Sequence, residues 1–266
     1  CQHRGIYVNK YDGSVLEEGV DYSYNKTQKT LSILSDKSMT IQNVVDLPTN
    51  AHIVVKGEVS ANLTLAGVNI DVTKTDNTAA FMIEDNSSKS VTITLKDGSK
   101  NILKSGLKCA GLQKNGVADN MGTLTIQGET KGTCSGSLIA SGGESGAGIG
   151  SGSYSSGSNI TIRGGSITAL GGAGGAGIGG GLGGAGSNIT ICGGVVTATG
   201  GEAGAGIGGG SQDFGSNISI AGGSVKAIGG ICGADIGNGS CNVTTIDANV
   251  PGASVIPKNG QDASSK

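Results

Sequence analysis

Two acidic side chains are the first residues whose type and spacing suggest chemistry. Glu144 and Glu202 each stand just ahead of a Gly-Ala-Gly-Ile-Gly segment, two repeats apart. If the repeats stack as paired strands do, roughly 9.6 Å, two strand spacings, separates the carboxylates. That is the upper limit at which an inverting glycosidase holds its acid and base. Ala173 occupies the equivalent place between them, and two solvated turn glutamates account for the pattern without catalysis. The pair is kept as a catalytic candidate only.

Other chemistries leave weaker traces. A lyase would want Lys, Arg and acidic residues clustered along one outward strand. Here Arg163 is followed at its repeat equivalents by Cys192 and Ala221, and Lys114, Asp119, Asp97 and Asp213 are scattered. Sugar sites stack rings on aromatics, for which the repeats offer Tyr154 and Phe214, on turn loops about two coils apart. Turn acids such as Asp213 and Asp235 admit calcium, although no dense oxygen-ligand motif surrounds them. An ice-binding face would need even rows of Thr. Thr161, Thr190 and Ser219 make one short row, while Thr168 and Thr197 run into Lys226. The six cysteines follow no zinc-ligand spacing with His3 or His52. Cys232 and Cys241 are near enough in sequence to close a short loop, and Cys1 is where a processed bacterial lipoprotein would carry its lipid.

Composition narrows the class. The 266 residues include 52 Gly, no Trp and only 3 Pro, with few aromatics to fill an ordinary core. Collagen needs a strict Gly-X-Y triplet and abundant Pro, and neither is present. Ile, Val, Leu and Ala recur at fixed places, which argues against a disordered linker. A net charge of -2 gives no basic footprint for nucleic acid or an anionic membrane. No stretch approaches the roughly 20 apolar residues of a membrane span.

The elements that must position any site are set by an internal repeat. Gly146-Ala147-Gly148-Ile149-Gly150 recurs at Gly175, Gly204 and, as Gly-Ala-Asp-Ile-Gly, at Gly233. Ser158-Asn159-Ile160-Thr161-Ile162 recurs at Ser187 and Ser216, and Gly165-Ser166-Ile167-Thr168-Ala169 recurs at Gly194 and Gly223. Three phases locked to one 29-residue step are the signature of a solenoid. Apolar residues alternate with small or polar ones within each phase, as strands require, and the Gly-rich runs between them supply turns. The expected fold is therefore all-β: a three-sided, right-handed parallel β-helix whose narrow interior is filled by Ile, Val, Leu and Ala.

Imperfect coils extend upstream through Ala61–Leu65, Val91–Leu95 and Thr123–Ile126 as first strands, with Cys109–Gln113 in the Gly-Ala-Gly-Ile-Gly phase. Inserted loops are expected around Asp71–Ser90, Lys114–Met121 and Glu129–Cys134. Residues 1–45 carry most of the Tyr and no repeat, which predicts an N-terminal β cap or joining element. Residues 46–245 form the solenoid and 246–266 a C-terminal cap and polar tail. Asn159, Asn188 and Asn217 are expected to bond to one another between coils, with Asn62 and Asn242 in the same place. If Ala147 and Ile149 point inward, then Gly146, Gly148 and their equivalents Gly175, Gly177, Gly204 and Gly206 face out. They would then offer a flat binding face for another solenoid, another chain or an ordered polysaccharide.

These phases resemble the right-handed parallel β-helix class, in which pectin-lyase-like proteins are the best known. The paired GAGIG and SNITI motifs look like the glycine-rich repeats of secreted and cell-surface proteins of Firmicutes. The resemblance covers about residues 55 to 245 and implies a secreted or cell-surface setting rather than a reaction. No catalytic motif settles an activity. The expectation is a noncatalytic structural or adhesive module without a required cofactor, with a polysaccharide, a protein surface or a second copy as partner. The alternative is an extracellular carbohydrate-binding or carbohydrate-active β-helix.

Overall fold

A computed structural model describes residues 2–3, 5–10, 15–45, 47–85, 87–116, 121–132 and 134–239. Its strands wind into a right-handed coil with three faces. The first face stacks β5 (Met39–Asn43), β7 (Asn62–Leu65), β10 (Val91–Leu95), β13 (Leu124–Gly128), β16 (Gly157–Ile162) and the leading halves of β19 (Gly186–Thr199) and β21 (Gly215–Ile228). The second stacks β8 (Asn69–Asp71), β11 (Lys100–Lys104), β14 (Ser137–Ser141), β17 (Ser166–Leu170) and the trailing halves of β19 and β21. The third stacks β4 (Thr30–Ile33), β6 (His52–Val55), β9 (Phe81–Ile83), β12 (Leu112–Lys114), β15 (Ile149–Gly150), β18 (Ile178–Gly179), β20 (Ile207–Ser211) and β22 (Ile236–Gly239).

Each face buries the apolar half of its alternation, and in-register stacking turns that half into columns. Leu63, Ile93, Ile126, Ile162, Ile191 and Ile220 form one, and Leu31, Ile53, Phe81, Leu112, Ile149, Ile178 and Ile207 another, all buried. Full burial of such a side chain contributes about 1.5–3 kcal/mol, against about 0.5–1.5 for a hydrogen bond. The columns therefore carry the stability. The second face changes calibre along its length: Ile70 and Leu103 give way to Ala140, Ala169, Ala198 and Ala227. The coil is wide in its first half and thin in its second.

The N-terminal segment adds antiparallel strands to one end of the coil. The antiparallel pair β1 (Gln2–His3) and β2 (Ile6–Lys10) lies against β5, and β3 (Tyr22–Asn25) forms an antiparallel hairpin with β4. The terminal strands of this end are short, two residues in β1 and four in β3, which limits the template they offer for edge pairing. Asp21 ties this hairpin down, accepting from Lys37 Nζ, Ser35 Oγ and Glu17 N, each at 2.8 Å. Those donors, the lysine foremost, hold its carboxyl down at about 2.

Parallel stacking already begins at β4 and β5, inside the stretch read from sequence as cap. The stretch Asp71–Ser90, expected to be an inserted loop, contains the third-face strand β9. Such strands of three or four residues carry no glycine signature in the early coils. Cys109–Gln113 does fall in the expected phase, with Leu112 beside Ile149. Asp119, Asn242 and the segment 246–266 lie outside the described residues. Among those described, no helix is long and apolar enough to cross a membrane.

Candidate functional site

The glycines expected to form an outward face are buried. Gly146, Gly148, Gly175, Gly177, Gly204 and Gly206 all lie within continuous buried runs. A Cβ on Gly148 would stand 2.4 Å from Leu170 N, and one on Gly177 or Gly206 would stand 2.6 Å from Thr199 N or Ile228 N. A Cβ on Gly146, Gly175 or Gly204 would come within 2.0 Å of the carbonyl oxygen of Cys109, Gly146 or Gly175 respectively, one coil back. Glycine is required here because backbone meets backbone, not because a ligand does.

The alternation rule failed because this segment is a corner more than a strand. Gly146 N donates to Gly143 O at 2.9 Å, closing a turn, and Ala147 N donates to Ser151 O at 3.0 Å. Only Ile149 and Gly150 pair as strand, and Gly150 has φ 137, open to glycine alone. This geometry repeats at Gly175 and Gly204.

The asparagine ladder is present. Asn188 Nδ2 donates to Asn159 Oδ1 at 3.0 Å, Asn217 Nδ2 donates to Asn188 Oδ1, and Asn159 Nδ2 donates to Met121 O at 3.0 Å. All three residues are left-handed, with φ of 55, 51 and 50, a conformation Asn tolerates better than other side chains. Asn62 is not part of it: its register partner is Thr92, which runs on through Thr125, Thr161 and Thr190 to Ser219. Asn62 thus heads the outward hydroxyl row, two positions along the strand from the ladder.

Glu144 and Glu202 are exposed turn residues sharing one column with Ala173, whose carbonyl accepts from Ala203 N. No hydrogen bond or ion pair joins either carboxylate to another described residue. Tyr154 and Phe214 are 77% and 56% exposed but do not share a column. Tyr154 stacks over Gly183, whereas Phe214 follows Ala185. They form no common platform. Among the described residues, no group of three or more His, Cys, Asp or Glu could hold a metal ion. Cys232 is disulfide-bonded, Cys241 lies outside the described residues, and Cys109, Cys134 and Cys192 are free thiols.

A concavity that the sequence reading did not anticipate lies on the third face of the wide coils. It has a volume of about 620 Å³. Its floor is the outward side of β4, β6 and β9, with Val54 and Met82 at the centre. The tip of the β3–β4 hairpin, Thr27 to Lys29, forms one wall, and the turn carrying Thr75 and Thr78 forms another. Thr30 Oγ1 and His52 Nε2 are 3.0 Å apart on adjacent strands. Burial holds the imidazole below its ordinary pKa, so it is neutral at pH 7. At the far end Lys56 Nζ pairs with Glu84 Oε1 at 3.0 Å, and Glu84 Oε2 accepts from Gly57 N at 2.9 Å. The Gly57 amide, with the lysine, keeps that carboxylate ionised below its usual range.

The only trace of this groove in the sequence is the alternation His52-Ile53-Val54-Val55-Lys56, which places three side chains outward. Its walls come from segments distant in sequence.

A family model described as a beta helix repeat matches residues 160–182 and 189–211, one stretch in each of two successive thin coils. No curated protein and no solved structure matches the chain.

Proposed function

We propose that this chain is a noncatalytic β-solenoid module of a secreted or cell-surface bacterial protein, a rigid support that presents a recognition surface. The observation that carries this reading is how the polar groups of the thin coils are used. The Asn amides bond along the stack, the corner amides and carbonyls bond within and between coils, and the corner positions are held by glycines without side chains. The two acids nearest to a catalytic pair stand exposed in turns two coils apart, with Ala173 between them. A disulfide at Cys232 fits an oxidising setting. Among partners, a polysaccharide is favoured over a protein surface or self-association, because the groove on β4, β6 and β9 presents hydroxyls and amides around a small apolar floor.

The test is a glycan array run beside a reducing-sugar assay on pooled plant and host polysaccharides. Binding without release of reducing ends is expected. Release of product by the purified chain would overturn the proposal in favour of a carbohydrate-active β-helix.

A further inference from the structure

We infer that the groove over β4, β6 and β9 is a binding site for a short, uncharged segment of glycan. This rests on the reading of the chain as a carbohydrate-recognising module and commits it to one place and one ligand class.

Size and shape come first. The cavity of about 620 Å³ lies within the range of about 300–1,000 Å³ typical of small-ligand sites. Three strands at about 4.8 Å, and the four steps of the five-residue run from His52 to Lys56 at about 3.3 Å each, give a floor of roughly 10 by 13 Å. That footprint suits a few sugar rings lying flat.

The lining then selects the chemistry. Val54 is 6% exposed, and with the half-buried Met82 it makes a shallow apolar strip of the kind the C–H face of a pyranose covers. Around the strip stand groups that both donate and accept: the Ser32 hydroxyl, the amides of Gln28 and Asn50, and the hydroxyls of Thr75 and Thr78. A sugar hydroxyl also does both, so these groups match it better than they match a carboxylate or phosphate, which only accept.

Charge argues the same way. Lys56 is neutralised by Glu84, and among the described residues Lys29 at the rim is the only further lysine or arginine in the lining. Among those residues a polyanion would meet no paired fork of donors. The asymmetry of the molecule supports the placement. The groove lies where the coil is wide and its outward side chains are varied, while the same face in the thin coils is a column of buried glycines.

The experiment is a titration of the isotopically labelled full chain, followed by backbone amide NMR, with cellotriose, xylotriose and mannotriose as neutral probes and trigalacturonate as the acidic one. At millimolar concentration at least one neutral trisaccharide should shift the amides of residues 27–32, 50–56 and 75–84. The double variant Gln28→Ala/Asn50→Ala, both exposed and outside the core, should keep the native spectrum and bind about tenfold more weakly. Shifts confined to the loops of Tyr154 and Phe214 would overturn the groove and leave carbohydrate recognition standing. Tighter binding of trigalacturonate would overturn the neutral class, and unchanged affinity in the double variant would overturn the assigned residues. No response to any probe, together with a blank glycan array, would remove both the groove and the reading on which it rests.

Discussion

Asn188 combines a strained backbone with a bond in each direction along the stack. Left-handed φ costs an ordinary residue roughly 1–2 kcal/mol, and each ladder bond contributes about 0.5–1.5. Replacing Asn188 by Gly removes the bonds but not the conformational tolerance; Ala removes both. Urea melts should therefore rank Asn above Gly above Ala, with Ala lower than wild type by about 2–5 kcal/mol. A Gly variant less stable than Ala would show that φ is not what selects asparagine here.

Lys114 is the other unusual residue, with a separate consequence for pH. It is 2% exposed, below Ile33, Val55 and Ile83 in an interior column, and its Nζ donates to Ser158 O at 2.9 Å. Burial pulls its pKa down to about 8 from 10.5. The folded state thus gives up this proton earlier than the unfolded chain. Stability should rise with pH between about 8 and about 10.5, by on the order of 3 kcal/mol from this group. Lys114→Met should flatten that rise and leave stability at pH 7 equal or higher, since an apolar side chain of similar length replaces a buried charge. The difference between the wild-type and variant pH profiles isolates the effect from other titrating groups. Identical profiles would show the ammonium to be solvated.

At the scale of the element, the corner built on Gly148, Gly177 and Gly206 sets the thin coil. Gly177→Ala would push a methyl into Thr199 N and Gly206 O, atoms that cannot rotate away, and should cost several kcal/mol by denaturant melt. Gly57→Ala is the control, because its Cβ meets nothing closer than Glu84 Oε2 at 3.5 Å and should shift stability by less than about 1 kcal/mol. Equal effects would mean that backbone proximity does not explain the glycines. The same element shows where sequence stops being legible. The three phases and their 29-residue step could be read because identical residues recur at identical offsets. The direction of the glycines could not, because period-two alternation describes a strand and the chain here turns after two residues. The early third-face strands β6 and β9 were missed for a related reason: their coils have uneven lengths and bulky side chains, so nothing repeats. The groove joins a hairpin tip to a turn about fifty residues later through register alone, and no local pattern encodes that.

The whole molecule behaves as a stack in which each coil touches only its neighbours, so damage should spread locally. Native-state hydrogen exchange on Gly177→Ala should show protection lost from β15 through β20 while β6, β7, β9 and β10 keep theirs. Uniform loss along the chain would indicate a single cooperative unit instead. The wide coils hold the large side chains Tyr22, Phe81 and Met39, and antiparallel strands flank them.

The uniform register of the thin coils bears on how such a chain changes over generations. From β15 onward most columns meet their equivalents after a 29-residue step, Ile on Ile, Asn on Asn, glycine carbonyl over glycine, with the register slipping only at Cys192–Gly222 and Ser211–Gly239 among the described residues. Duplicating or deleting one such unit in the gene would keep every ladder in phase and would neither create nor break an interior contact type. The wide coils have no interchangeable unit of this kind, because each has its own length and its own groove-lining residues. Copy number can therefore drift by whole repeats, lengthening or shortening the rod by about 4.8 Å each time, while the groove-bearing end is inherited intact.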